Sequence, residues 1–357
     1  MTHTTQAVDL LKQMITIPSH SRQETAVADM LQHTIEHHYQ YPTHRLYNNI
    51  WTIDPHYDPH RPTLLLNAHI DTVKPVSTWI RPPYQPTIEG DTLYGLGSND
   101  DGASVVALLQ AYHILTQSHP LPYNLIYLAS AEEEVSGSQG IESVIPQLPK
   151  IDVALVGEPT SMQPAQAEKG LMVIDATAHG TSGHAARDTG DNAIYHALDD
   201  INWLRHHTLP LVSPLLGPVK TTTTIINAGT QHNVVPDRCT FTIDVRSNEC
   251  YTNQEILHHL QQGCHSTLTP RSLRLSSSHI SPDHPLLQRA IALGRTPFGS
   301  PTLSDQALMP WPSMKMGPGE STRSHTADEY IHISEIQEAI ALYVEMLQNL
   351  ELTPKSE

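Results

Sequence analysis

Short apolar runs that stop abruptly in polar residues recur four times along the chain, at residues 63–68, 125–130, 153–156 and 314–316. A strand buried on both faces has this signature, because helices cover both sides of a parallel sheet and only the strand ends meet water. The four runs lead into His69-Ile70-Asp71, Glu132-Glu133-Glu134, Gly157-Glu158-Pro159 and Gly317-Pro318-Gly319. Between them the apolar period lengthens to that of a helix, over residues 103–115 and 334–347. In the second segment Ile336, Ile340, Tyr343, Val344 and Leu347 form a stripe, and Ser334 with Gln337 fits a capping box. Near the start, Val8, Leu11, Met14 and Ile15 share another helical face. An α/β fold is expected, in which ligands gather outside the carboxyl ends of the strands.

The middle of the chain has a different rhythm. Strand-like segments at 171–178, 221–227, 239–245 and 273–275 alternate with helical segments at 193–204 and 254–262, in the order β-α-β-β-α-β. Ile194, Leu198, Ile201 and Leu204 supply the face of the first of these helices. This order predicts a ferredoxin-like α+β domain over residues 169–279, inserted into a catalytic domain formed by 1–168 and 280–357. A chain of 357 residues is long enough for two such domains.

Composition narrows the function classes. Against 20 basic residues there are 37 acidic ones, a formal charge of -17, which disfavours nucleic acid or an anionic membrane as partner and leaves small molecules. No segment approaches the roughly 18 uninterrupted apolar residues of a membrane span, and the start lacks the basic and apolar blocks of a signal peptide. A cytoplasmic location is the expectation. Cys239, Cys250 and Cys264 are odd in number and widely spaced, as reduced structural thiols are. Most of the 24 histidines, many adjacent in pairs, are expected on the solvated surface.

A histidine at a strand end can ligate metal while a nearby carboxylate holds its other ring nitrogen, the pattern of His69 and Asp71. The loop Gly95-Leu96-Gly97-Ser98-Asn99-Asp100-Asp101-Gly102 can present a carboxylate at a helix start, and lacks the features of a phosphate-binding loop. Three adjacent glutamates at 132–134 repel one another unless cations or water offset them. Taken singly, each motif also fits a surface turn. Together with Glu158 and His325 they place histidines and carboxylates at four strand ends, a donor set suited to zinc, cobalt or manganese.

On these motifs, in this order, the sequence resembles the zinc-dependent aminoacylase and acetylornithine deacetylase family, which includes succinyl-diaminopimelate desuccinylase. The resemblance implies a dizinc-aminopeptidase-like catalytic domain, with a mixed central sheet flanked by helices and an inserted dimerisation or lid domain. It implies two Zn2+ ions, replaceable by Co2+ or Mn2+, with Asp100 bridging them, His69 and Glu158 on one, and Glu134 and His325 on the other. Asp71 would orient His69 and Glu133 would be the general base. Ser182-Gly183-His184 resembles the family's histidine motif, whose histidine serves the partner's active site in a homodimer. Asn233, Arg246 and Gly317 would meet substrate, although an ion pair with a neighbouring carboxylate suits Arg246 nearly as well.

The match with the acetylornithine deacetylases, through Gly-Glu-Pro-Thr, Ser304-Asp305-Gln306 and Gly-Pro-Gly-Glu-Ser-Thr, implies hydrolysis of an N-acyl amino acid, first of all N-acetyl-L-ornithine in arginine biosynthesis. The rivals are succinyl-ornithine, acetyl-lysine or acetyl-citrulline deacylation, succinyl-diaminopimelate desuccinylation, and di- or tripeptide cleavage. A metal-binding or interaction protein without catalysis is the alternative of a different class.

Overall fold

The computed structural model describes residues 2–118, 121–187, 189–348 and 350–352. The chain divides into two compact units, one of residues 1–166, 280–298 and 304–357, the other of 167–279 and 299–303.

The first unit is built on a mixed sheet that includes, in order, the strands His44–Leu46, Asn49–Ile53, Asn124–Ser130, Thr63–His69, Val153–Val156 and Ser313–Lys315. Its four central strands are mutually parallel. Their unbroken apolar sequences follow from burial on both faces. Leu64, Leu66, Leu125, Tyr127, Val153 and Leu155 join one core with the helices His3–Thr16, Ala103–Ser118 and Ile333–Gln348. The intervening Leu65, Ile126, Leu128, Ala154 and Val156 join a second core with Ile141 and Val144. At about 25 cal/mol per Å² of apolar surface removed from water, this double covering is the main force holding the strands in place.

In the second unit Gly170–His179, Lys220–Ala228, Arg238–Ser247 and Thr267–Pro270 form an antiparallel sheet, with the first strand between the third and fourth and the second at an edge. With the helices Ala193–His206 and Asn253–Gly263, this is the ferredoxin-like arrangement. Only one sheet face is covered, so Met172, Ile174, Ala176 and Ala178 are buried in alternation with more exposed neighbours.

Three local expectations need correction. The last strand of this sheet is Thr267–Pro270, anchored by buried Leu268, and not 273–275. The alternating Leu273-Arg274-Leu275 instead lends its leucine carbonyls to the Asn253 amide, and Leu275 also accepts the Leu171 N–H. In helix Ala193–His206 the buried face is Ala193, Ala197, Asp200 and Leu204, while Leu198 is exposed. The small alanines sit in the core against the sheet, and Asp200 is tolerated there because it accepts the His265 and Ser266 N–H groups. Finally, Ser334 caps nothing: it lies inside helix Ile333–Gln348, and its N–H and hydroxyl both donate to Asp91. A residue distant in sequence has taken over that helix end. Among the described residues, no helix is long and apolar enough to cross a membrane.

Candidate metal centre

Register decides where the chemistry-bearing loops emerge. His69 lies opposite Ser130, Asn67 opposite Val156, and Lys315 opposite Val156, so four loops leave the same carboxyl edge of the first unit's sheet. Asp71 ties two of them together. Its Oδ1 accepts the Glu133 N–H at 3.0 Å and its Oδ2 accepts the Glu134 N–H at 3.2 Å and the Ser21 hydroxyl at 2.7 Å. The Nδ1 of His69 lies 2.9 Å from the Asp71 carbonyl and 3.5 Å from its Oδ1. A single buried carboxylate thus faces the imidazole and pins the acidic turn. Burial works against its charge, but the imidazole and these donors outweigh burial and hold its pKa below the usual carboxylate value.

Asp100 stands between two imidazoles. Its Oδ1 is 3.1 Å from His69 Nε2, and its Oδ2 is 3.6 Å from His325 Nε2. His325 Nε2 is in turn 2.9 Å from Glu134 Oε2. Asp101, joined to Asp100 by a cis peptide bond, turns away and accepts the His69 backbone N–H at 3.3 Å. Two groups of potential ligand atoms result, each within 4.8 Å of one another: His69, Asp100 and Glu134, and His69, Glu133 and Glu158. The structure therefore brings together His69, Asp71, Asp100, Glu133, Glu134, Glu158 and His325.

The electrostatics of this cluster call for cations. Burial, with repulsion from Glu158, pushes the carboxyls of Glu133 and Asp101 well above their ordinary range against the opposing pull of His69. Burial also lifts Asp305 to about 6. For Glu329, burial followed by repulsion from Asp100 lifts the value to about 8. The hydrogen bond to Glu134 raises His325 to about 9. For His69 desolvation opposes protonation, yet hydrogen bonds to Asp100 and Asp71 prevail and raise it. Cations offset such a concentration of desolvated carboxylates, and a nitrogen-and-carboxylate donor set fits zinc, cobalt or manganese.

Gly317 has a packing reason to be glycine. A Cβ there would lie 2.6 Å from the Glu158 carbonyl oxygen and 2.6 Å from the Ser104 hydroxyl. Its carbonyl accepts from Thr160 and Met162, which fastens the loop bearing Glu158 to the last central strand.

The other candidates belong to the second unit. His184 is exposed in a two-residue strand paired with Val234–Val235, and its Nδ1 accepts the Ala186 N–H. Exposed Asn233 contributes its carbonyl to the Ala185 N–H. Arg246 grips Asp244 through two parallel hydrogen bonds of 2.9 and 3.1 Å, so of its two readings the ion pair is the one this geometry displays.

A model of peptidase family M20/M25/M40 matches residues 65–349. The chain belongs to that family. This M20-family hydrolase is 24% identical over 314 residues to the succinyl-diaminopimelate desuccinylase of Wolbachia pipientis, covering 81% of this chain and 79% of that one. Its fold resembles that of the aminopeptidase PepT of Bacillus cereus, with a TM-score of 0.77 at 16% identity over 97% of this chain and 98% of that one. It also resembles the dinuclear metal-binding peptidase YXEP of Bacillus subtilis, with a TM-score of 0.74, 16% identity and the same coverage.

Within this M20 fold several supporting residues escaped the sequence. Ser21 donates to Asp71, and buried Asp305 accepts the Ser130 hydroxyl at 2.6 Å beside the strand end that carries His69. Glu329 and Asn99 brace the loop of Asp100. Asp305 lay within a motif quoted for the family resemblance, but no spacing distinguished Ser21, Asn99 or Glu329 from ordinary loop residues.

Proposed function

We propose that this M20-family hydrolase cleaves the amide bond of an N-acyl amino acid at a two-metal centre. Asp100 would bridge the ions, with His69 and Glu158 completing one set and Glu134 and His325 the other. The supporting observation is the placement of the Asp100 carboxylate between the two imidazoles. Zinc is the favoured ion, with cobalt and manganese able to replace it. Such ions, when bound, acidify water and polarise the scissile carbonyl.

Glu133 is the general base: it takes a proton from the attacking water and returns it to the departing nitrogen. Desolvation raises its proton affinity, which suits the second half of that task. Asp71 keeps the His69 ring in orientation and the Glu133 turn in place. His184 donates a hydrogen bond to the oxyanion at the site of a second copy, a role carried over from the resemblance. Dimerisation through the second unit is supported by its edge strand Lys220–Ala228, where Ile225 and Ile226 are about half exposed and one side of the ladder is unpaired.

Among substrates, the acetylornithine motifs make N-acetyl-L-ornithine the first choice. The desuccinylase relative makes succinyl-diaminopimelate the second. Amine release from acetyl- and succinyl-ornithine, -lysine and -diaminopimelate and from di- and tripeptides, using zinc- and cobalt-loaded protein, tests the proposal. Preference for one acyl amino acid supports it, cleavage of peptides alone moves the activity to a peptidase, and no hydrolysis of any member refutes it. Mixed subunits of His184→Ala and Glu133→Ala, each inactive alone, should recover activity if the site is shared. No recovery after demonstrated subunit exchange removes the role in trans.

A further inference from the structure

Glu329 is 2% exposed and has no part in the mechanism above. Its Oε2 accepts the Gly97 N–H at 3.0 Å, and its Oε1 accepts the N–H groups of Asn99 at 2.8 Å and Asp100 at 2.9 Å. The turn that presents Asp100 is therefore wrapped around a carboxylate, as backbone nests wrap around anions. The Glu329 carbonyl adds a bond from the Gly95 N–H at 3.0 Å. Both carboxylate oxygens face donors, which a glutamine amide could match at only one of its two ends.

The same turn is tied to the loop before His325. The wholly buried Asn99 accepts the Glu320 N–H at 3.0 Å, and its amide nitrogen donates to the Glu320 carbonyl at 3.1 Å and the Ser324 hydroxyl at 3.2 Å. Gly319, at φ +81°, permits the approach, since a Cβ there would stand 2.2 Å from the Asn99 side-chain oxygen. Glu329 itself follows His325 by four residues. Asp100 and His325 are thus braced from two directions by one buried network.

We propose that Glu329 is a positioning residue that, with Asn99, fixes the separation of Asp100 and His325 and so sets the affinity for the ion they share with Glu134. This rests on the two-ion reading of the centre. The other ion shares the bridging Asp100, but its His69 and Glu158 leave separate strand ends and make no use of this brace. Loss of the brace should therefore weaken the two metal equivalents unequally, the one at His325 and Glu134 more.

The test titrates chelator-treated full-length protein with Co2+, following visible absorption and bound metal, alongside thermal melting of the metal-free form. In Glu329→Gln one equivalent should bind about tenfold or more weaker with an altered spectrum, and the other should lose distinctly less. Asn99→Ser, which keeps Glu329 and cuts the second tie, should weaken the same equivalent. Two unchanged equivalents in both variants, equal weakening of both, or loss of the fold in both overturns the positioning role. If Glu329→Gln alone fails to fold, the Asn99→Ser titration decides. A wild type that takes up fewer than two equivalents overturns the two-ion reading itself and this inference with it.

Discussion

In the first unit His69, His325, Asp100, Glu133, Glu134 and Glu158 converge at one sheet edge, and several are desolvated enough to shift their protonation. In the second unit His184 and Asn233 face solvent, Arg246 is neutralised by Asp244, and the core is an ordinary one of Met172, Ile174, Phe241, Ile243, Ile256 and Leu260. The contrast separates two uses of burial. In the second unit burial removes apolar surface from water and meets little electrostatic opposition. In the first it also concentrates like charge, a cost that bound cations offset.

Four changes test this contrast, in decreasing order of expected effect. Glu133→Ala should lower turnover about 10²–10⁴-fold while metal analysis still finds two ions. Loss of an ion from this variant, with retention in Glu134→Ala, would exchange the roles of the two glutamates. Phe241→Ala, at a site 2% exposed, should destabilise the second unit by about 3–5 kcal/mol. Hydrogen exchange should place that loss in residues 167–279, and an equal loss of protection in the first unit would mean that the units do not unfold separately. Asp71→Asn turns one of the two acceptor oxygens into a donor, so it can hold only one of the Glu133 and Glu134 N–H groups, and it should weaken metal binding by about 10–100-fold. Metal affinity at the wild-type level would show that the acidic turn holds itself.

The mildest change is in thiol chemistry. Burial followed by repulsion from Asp200 pushes Cys264 up to about 12, so its thiolate is scarce at pH 8 and appears only as pH rises toward that value. Cys250, partly exposed where Cys239 and Cys264 are buried, should label first with a thiol reagent at pH 8, and Cys264 only after unfolding. Rapid labelling of Cys264 in the native protein would show that the second unit's core opens readily.

The legibility of the two units differs for the same reason as their burial. Runs such as 125–130 stand out because both faces of the strand are covered, so nearly every position must be apolar. In the second unit one face is open, and a short alternation such as Leu273-Arg274-Leu275 can arise in a loop. It imitated a strand while Thr267–Pro270, with its single buried leucine, did not advertise one. Leu198 misled similarly, because a helix seated on alanines leaves its larger apolar residues outside. Ser334 had the residue type of a cap, but competition with distant Asp91 is invisible along the chain.

From the amino-acid order alone came the α/β class, the ferredoxin-like insertion and the ordered motifs containing His69, Asp100, Glu133, Glu134, Glu158 and His325. Periodicity is local, and ligand types at strand ends are written in adjacent residues. The resemblance had already implied Asp100 between the two ligand sets and Glu134 with His325; the tertiary structure supplied the distances among them and sent Asp101 to a backbone N–H. Only it enlisted Asn99 and Glu329 as braces and gave Asp71 the acidic turn to hold besides His69, because the donors lie tens to hundreds of residues away. A side chain's direction depends on which neighbours remove it from water and which satisfy its hydrogen bonds, and those neighbours are assembled only when the strands come into register.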